Sequence, residues 1–228
     1  MTAGPIVEAR GIDKIYRSTS DEVHALRSVS LEVREGEMIA VMGPSGCGKT
    51  TLLNCLSGLD HIDSGVVHID GQPLGSLTDD ELSEYRARSM GFVFQSFNLL
   101  PVLSAQENVE LPLLVAGSGS REASAAAKEM LDLVGLMDWS SHLPAALSGG
   151  QRQRVAVARA LANTPAIVWA DEPTGNLDTE NEEEIMSLLT RLNRENGQVF
   201  VLVTHSDDVA KNAHRIVRMR DGEIVDQG

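Results

Sequence analysis

Five consecutive apolar residues, Met38 to Met42, make the clearest strand in the sequence. A run without polar alternation belongs in a sheet covered on both faces. Shorter stretches at Ile6–Arg10, Val23–Leu26 and Ser28–Val33, separated by polar turns, predict a β-rich start. A glycine-rich loop follows Met42, then a helix through Leu52, Leu53 and Leu56, then a strand at Val66–Ile69 that stops at the Asp70–Gly71 turn. Thr78-Asp79-Asp80-Glu81 is a capping box and opens a helix through Arg88.

After the strand Phe92–Gln95 the period changes. From about Asn98 to His142 the pattern is helical, with Ala123, Ala127, Met130, Leu131 and Val134 at i, i+4, i+7, i+8 and i+11 on one stripe. Gly135 supplies a C-terminal stop, and Gly117-Ser118-Gly119-Ser120 is a flexible joint within this region. Helix and strand then alternate: helix Gln151–Ala162, strand Ala166–Ala170, helix Thr179–Glu195, strand Val199–Val203. Ile216–Met219 and Glu223–Val225 flank Asp221–Gly222, a hairpin signal. The expectation is an α/β fold with a parallel core, a β-rich start, a helical insert and no internal repeat.

Composition narrows the partners. The 228 residues are 42% hydrophobic and 23% charged, as in ordinary globular domains. With 33 acidic against 19 basic side chains the net charge is −14, and aromatics are only 4%. Such a surface repels nucleic acid and anionic lipid and offers few stacking platforms. Cys47 and Cys55 lie on or beside one helix. At 1.5 Å rise per residue their separation is about 10–12 Å, too far for a disulfide. A reduced, cytosolic protein without a zinc site is expected. Met1–Arg10 lacks a basic stretch followed by an apolar core. No stretch approaches the roughly 18–20 apolar residues of a membrane span, so the chain is expected to be soluble without direct membrane insertion.

Two segments carry phosphate chemistry. Gly43-Pro44-Ser45-Gly46-Cys47-Gly48-Lys49-Thr50 satisfies G-x-x-x-x-G-K-S/T between a buried strand and a helix. There, backbone N–H groups and the helix N-terminus receive phosphate. Lys49 is placed to reach the β and γ phosphates, and the Thr50 hydroxyl to hold Mg²⁺. Ile167-Val168-Trp169-Ala170-Asp171-Glu172 is an apolar strand ending in two acids, at the end of a parallel strand where ligand crevices form. Asp171 can hold Mg²⁺ through water and Glu172 can polarise the attacking water. Trp169 is expected in the core. The acids from Asp178 to Glu184 read as a helix start complementing its dipole, and Arg152, Arg154 and Arg159 as a solvated helix face.

Leu147-Ser148-Gly149-Gly150-Gln151 opens the helix after the insert and makes a second phosphate receptor from Ser148, Gly149, Gly150 and the helix dipole. With this segment the chain resembles the ATP-binding subunit of ABC transporters, over nearly its whole length from Tyr16 to Glu223. The resemblance implies a single ABC ATPase domain over 1–228. Its P-loop NTPase core is a parallel sheet formed by 1–95 and 144–228, with an N-terminal antiparallel β subdomain and an α-helical subdomain inserted over about 96–143. It implies ATP and Mg²⁺ as cofactors. It places Tyr16 on adenine, Thr51 and Gln151 beside the two phosphate receptors, Gln95 on Mg²⁺ and facing a membrane partner, Asp178 in the loop Gly175–Asp178 across a dimer, and His205 on the γ-phosphate.

Since the family closes each ATP site between two subunits, the resemblance also implies an ATP-dependent pair of such subunits, expected as a homodimer. Ser148 of one copy would cap the nucleotide of the other. A transmembrane permease would dock on the Gln95 loop and the insert, where Phe97, Leu99 and Leu100 form an apolar cluster, and the complex would sit on the cytoplasmic face of the plasma membrane. Residues 172–178 and 95–101 look like the branch serving lipoprotein release and macrolide or peptide export. The alternative, a soluble ABC-type ATPase of DNA repair or translation, lacks the coiled coils, zinc inserts or tandem cassettes such proteins carry. Cys47, where the family more often has serine, is expected to make the enzyme sensitive to thiol reagents.

Overall fold

The computed structural model describes residues 4–18 and 21–228. Met1 to Ala3, where the stretch examined for a secretory signal begins, lie outside the described residues. In chain order the elements are β1 (Val7–Arg17), β2 (Glu22–Val33), β3 (Met38–Met42), α1 (Lys49–Leu56), β4 (Ser64–Ile69), β5 (Gln72–Pro73), α2 (Asp79–Ser89), β6 (Met90–Phe94), α3 (Ala105–Val115) and α4 (Ser120–Leu133). They continue with α5 (Gly149–Leu161), β7 (Ile167–Asp171), α6 (Thr179–Asn196), β8 (Val199–Val203), α7 (Asp207–Ala210), β9 (Arg215–Arg220) and β10 (Glu223–Gln227).

Two sheets result. The first, ordered β2-β1-β4-β5, is antiparallel. The second, ordered β10-β9-β3-β8-β7-β6, is parallel except for the edge strand β10. Its central strands β3 and β8 are buried at every residue, which is why they read as unbroken apolar runs. Trp169 and Phe200, both fully buried, are the largest side chains of this interior. In chain order α3 and α4 follow β6 and precede α5, and the stripe predicted on α4 is buried at Ala123, Ala127 and Leu131.

Three differences from the expectation have physical causes. β1 runs to Arg17 rather than stopping at Arg10, because three register shifts between Ala9 and Ile15 interrupt the alternation that marks a strand. β2 is continuous through Ser28, whose φ of 47° is an irregularity rather than a strand end. Residues 98–104 are not helical: Phe97 and Asn98 both take left-handed φ (59° and 49°), and the first helix of the insert starts only at Ala105 behind a Ser104–Glu107 capping box. Among the described residues no helix is long and apolar enough to cross a membrane.

Candidate active site

The loop after β3 is shaped by close approaches. A Cβ on Gly43 would lie 2.3 Å from the Met219 carbonyl oxygen, and one on Gly48, whose φ is +103°, would lie 2.5 Å from that of Ala25. Only glycine fits at either position. The β9–β10 turn backs the loop directly: Gly222 N–H donates to the Cys47 carbonyl (3.0 Å) and the Gly222 carbonyl accepts from Arg27 N–H (2.9 Å). Lys49, nearly buried, folds along the loop and donates to the carbonyls of Gly43 (2.8 Å) and Pro44 (3.1 Å). Cys47 is 4% exposed and packs in the core under the loop, so in this conformation its sulfur is turned away from solvent.

Beside this loop lie the ends of β7 and β8. Thr50 Oγ1 donates to Asp171 Oδ1 at 3.2 Å, joining the start of α1 to the last residue of β7. Burial pushes the Asp171 carboxyl above its usual range, Thr50 opposes this, and Glu172 next door adds to it. Glu172 lies one residue beyond the end of β7. Its backbone N–H bonds the Val203 carbonyl (2.9 Å), its φ is 48°, and its carboxylate turns to accept from His205 Nδ1 at 2.8 Å. A non-glycine residue in that region stores strain of the kind concentrated at functional sites. The two acids therefore diverge because the strand ends between them. The imidazole of His205 is exposed and the Glu172 carboxylate largely covered.

Tyr16, Ser45, Gly46, Gly48, Lys49, Thr50, Thr51 and Glu172 line one cleft of about 530 Å³ with the turn Asp221–Gly222. Asp171, Gln95 and His205, also expected around the nucleotide, are not among the residues that line it.

Gln95 is not in the strand but one residue beyond β6. It is strapped to the loop after β7: Asn176 Nδ2 donates to the Gln95 carbonyl (2.9 Å), and Gln95 Nε2 reaches Asn176 Oδ1 at 3.4 Å. The sequence named Asn176 only as part of a motif, since a contact across 81 positions leaves no local signal.

Ser148 caps α5, accepting from Gln151 N–H (3.2 Å) while Gln151 Oε1 accepts from Ser148 N–H (2.9 Å). Its hydroxyl proton remains free to donate outward. A Cβ on Gly150 would lie 2.0 Å from Asn181 Oδ1, and Asn181 is in turn held by Asp178, the N-cap of α6 (2.9 and 2.8 Å). Those backbone and side-chain bonds hold the Asp178 carboxyl below its usual range. Gln153, fully buried, donates from Nε2 to the Pro173 carbonyl. Helix α5 is thereby packed onto the segment that follows Glu172.

The expectation of a solvated arginine face on α5 is overturned. Arg159 donates to the carbonyls of Phe97 (2.9 Å) and Asn98, Arg152 lies over the Phe97 ring (5.1 Å to its centre), and Arg154 bonds the Val134 carbonyl (3.1 Å) and Glu184 (2.8 Å). They fasten α5 to three neighbouring segments.

Asp171 and Thr50 are hard oxygen donors, and among the described residues no cluster of three or more His, Cys, Asp and Glu could hold a metal by itself. One carboxylate and one hydroxyl, completed by phosphate and water, is the donor set that suits Mg²⁺. The carboxyl destabilised by burial fits it as well.

Comparison with known proteins agrees with this geometry. The profile of the family described as ABC transporter matches residues 26–175. The lipoprotein-releasing system ATP-binding protein LolD of Bacteroides fragilis is 45% identical, covering 96% of this chain and 100% of its own. The macrolide export ATP-binding/permease protein MacB of Rhodopirellula baltica is 46% identical over 97% of this chain, which spans 33% of that longer protein. The cassette MJ0796 of Methanocaldococcus jannaschii, in a dimeric post-hydrolysis state bound to ADP and Pi, superposes with a TM-score of 0.89 at 44% identity and covers 97% of each chain.

Proposed function

The chain belongs to the ABC transporter family as an ATP-binding, ATP-hydrolysing subunit, and from that premise we propose how its residues divide the work and what they drive. The observation that carries the reading is convergence. The phosphate loop after β3, His205 after β8 and Asp171–Glu172 at the end of β7 all lie at the carboxyl edge of adjacent parallel strands.

Backbone N–H groups from Gly43 to Lys49 and the N-terminus of α1 receive the phosphates, with the Lys49 ammonium over the terminal two. Tyr16 stacks on adenine and Thr51 lies beside the α-phosphate end of the loop. Thr50, Asp171 and Gln95 would hold Mg²⁺, which when bound would supply positive charge to offset that of the phosphates. Glu172 accepts the proton of the attacking water; His205, bonded to its carboxylate, fixes its direction and faces the γ-phosphate. Ser148, Gly149, Gly150 and Gln151 cap the nucleotide of a second copy, and Asp178 reaches across the same junction. ATP then closes a two-fold pair, and loss of the γ-phosphate loosens it.

The energy is delivered to a membrane permease seated against the Gln95 loop and the insert, on the cytoplasmic face. The names of the relatives favour lipoprotein extraction or macrolide-type export over DNA repair or translation. Of the expected cluster Phe97, Leu99 and Leu100, Leu100 is exposed, with Val102 nearby, and suits such a contact, whereas Leu99 packs against the core and Phe97 lies under Arg152.

Glu172→Gln tests the assignment. Turnover falls by about 10²-fold or more, on the usual scale of acid–base catalysis, and an ATP-bound dimer accumulates in size-exclusion chromatography. Turnover near that of the unaltered protein removes Glu172 from its role.

A further inference from the structure

Tyr16 stands in an arrangement that stacking on a base does not require. Its ring is 43% exposed and lines the cleft of the phosphate loop, yet its hydroxyl donates to Asp60 Oδ2 at 2.7 Å. The other oxygen of Asp60 accepts from Lys14 Nζ, also at 2.7 Å, and Lys14 Nζ donates further to the His61 carbonyl at 2.6 Å. Lys14 is 9% exposed, and its ammonium lies 4.9 Å from the centre of the Tyr16 ring. The end of β1 is pinned to the same loop a second time, by Ile15 N–H donating to Asp63 Oδ2 at 2.7 Å. The ring is therefore fixed at its tip by a carboxylate, which is itself fixed by a nearly buried ammonium.

A stacking ring on a strand end has two freedoms that weaken it, rotation about its side-chain torsions and swinging of the strand. Ordering such a ring when the ligand binds costs entropy, and a ring ordered beforehand avoids that cost. The Lys14–Asp60 pair removes the torsional freedom, and the Asp63 bond restrains the strand. A cation within about 6 Å of an aromatic ring also interacts with its π system. Burial and the Asp60 contact both push the Tyr16 phenol up, so the donor stays protonated. On Lys14 burial works downward, but Asp60 outweighs it and the ammonium is retained.

We propose that Lys14 and Asp60 are positioning residues for recognition of the nucleotide base: together they hold Tyr16 as a preset stacking surface. The proposal rests on the reading that Tyr16 meets adenine. It predicts a defect confined to the base end of the ligand, with phosphate binding and chemistry untouched.

The test uses steady-state ATPase kinetics of the full chain, with tripolyphosphate as a competitive inhibitor that has no base. Tyr16→Phe keeps the ring and loses the anchor. Asp60→Ala and Lys14→Met remove the carboxylate and the ammonium. Each raises KM for ATP about three- to tenfold, the scale of ordering one side chain on binding, while kcat stays within about twofold and the tripolyphosphate Ki does not move. Tyr16→Phe combined with Asp60→Ala is no worse than the worse single change, because both break the same contact. Tyr16→Phe leaves the Lys14–Asp60 pair intact, so a folding defect in the other variants does not remove the test. A wild-type KM in Tyr16→Phe, additive effects in the double variant, or a parallel rise in the tripolyphosphate Ki overturns the proposal. Tyr16→Ala separates the two readings: if it too leaves KM unchanged, the base-stacking role itself is wrong.

Discussion

Asp171 carries a cost in the fold that its chemistry explains. Burial raises its carboxyl pKa, so the folded chain holds that proton more tightly than the unfolded chain does. Its ionisation is thus unfavourable to the fold above the raised pKa, and the penalty fades as pH falls to the ordinary aspartate range. Asp171→Asn cannot ionise but keeps an oxygen to accept from Thr50. Its metal-free Tm at neutral pH rises above that of the unaltered protein, while Mg²⁺-dependent turnover drops about 10²-fold or more; a lowered Tm contradicts this account. Residue types and spacing were enough to single out Lys49, Thr50, Asp171, Glu172 and Ser148, because each belongs to a short contiguous motif. They were not enough for the left-handed Glu172, for the buried Cys47 sulfur, or for the grip of Arg159 on Phe97 and Asn98. Those depend on what lies across the fold, and local sequence carries no mark of it.

Among the helices, α5 packs against β6, α3, α4 and α6. Besides its arginine contacts it lies against β6, where a Cβ on Gly91 would be 2.3 Å from the Ala160 carbonyl oxygen and 3.0 Å from its carbon. Both are backbone atoms and cannot rotate aside. Gly91→Ala is expected to lower unfolding free energy by about 1–3 kcal/mol, the range for overpacking, measured by urea denaturation; an unchanged midpoint means that the helix slides without cost. The start of α2 was legible from its capping box, Thr78 with Glu81 (2.8 Å), whereas the capped starts of α3 at Ser104 and α7 at Ser206 were not read. Strands β3 and β8 were found end to end, and β7 and α6 to within a residue, since their periodicity is unbroken. The far half of β1 was not found, because its bulges scramble the alternation, and the segment Asn98–Ser104 was wrongly placed in a helix.

At the scale of the molecule, one chain carries one phosphate loop and one signature segment. Ser148→Arg tests whether these belong to different sites when two copies meet. A single chain then binds a fluorescent ATP analogue with unchanged affinity, while phosphate release by the pair falls to background. Loss of the cap lowers stability by only about 1 kcal/mol. Preserved hydrolysis contradicts the shared site. The sheet order was legible only as a class, parallel with helices between, because strand neighbours are set by long-range pairing rather than by pattern.

That pairing bears on how the protein is made. The strand that leads into the phosphate loop, β3, is flanked by β8 and β9, and the loop itself leans on the Asp221–Gly222 turn. A nascent chain that has emerged only through α1 carries every residue of the loop but none of these supports. ATP therefore has nothing to template early in synthesis. The grip on nucleotide arrives late and all at once, when residues 199–222 leave the ribosome and close the sheet around the strand laid down at the start.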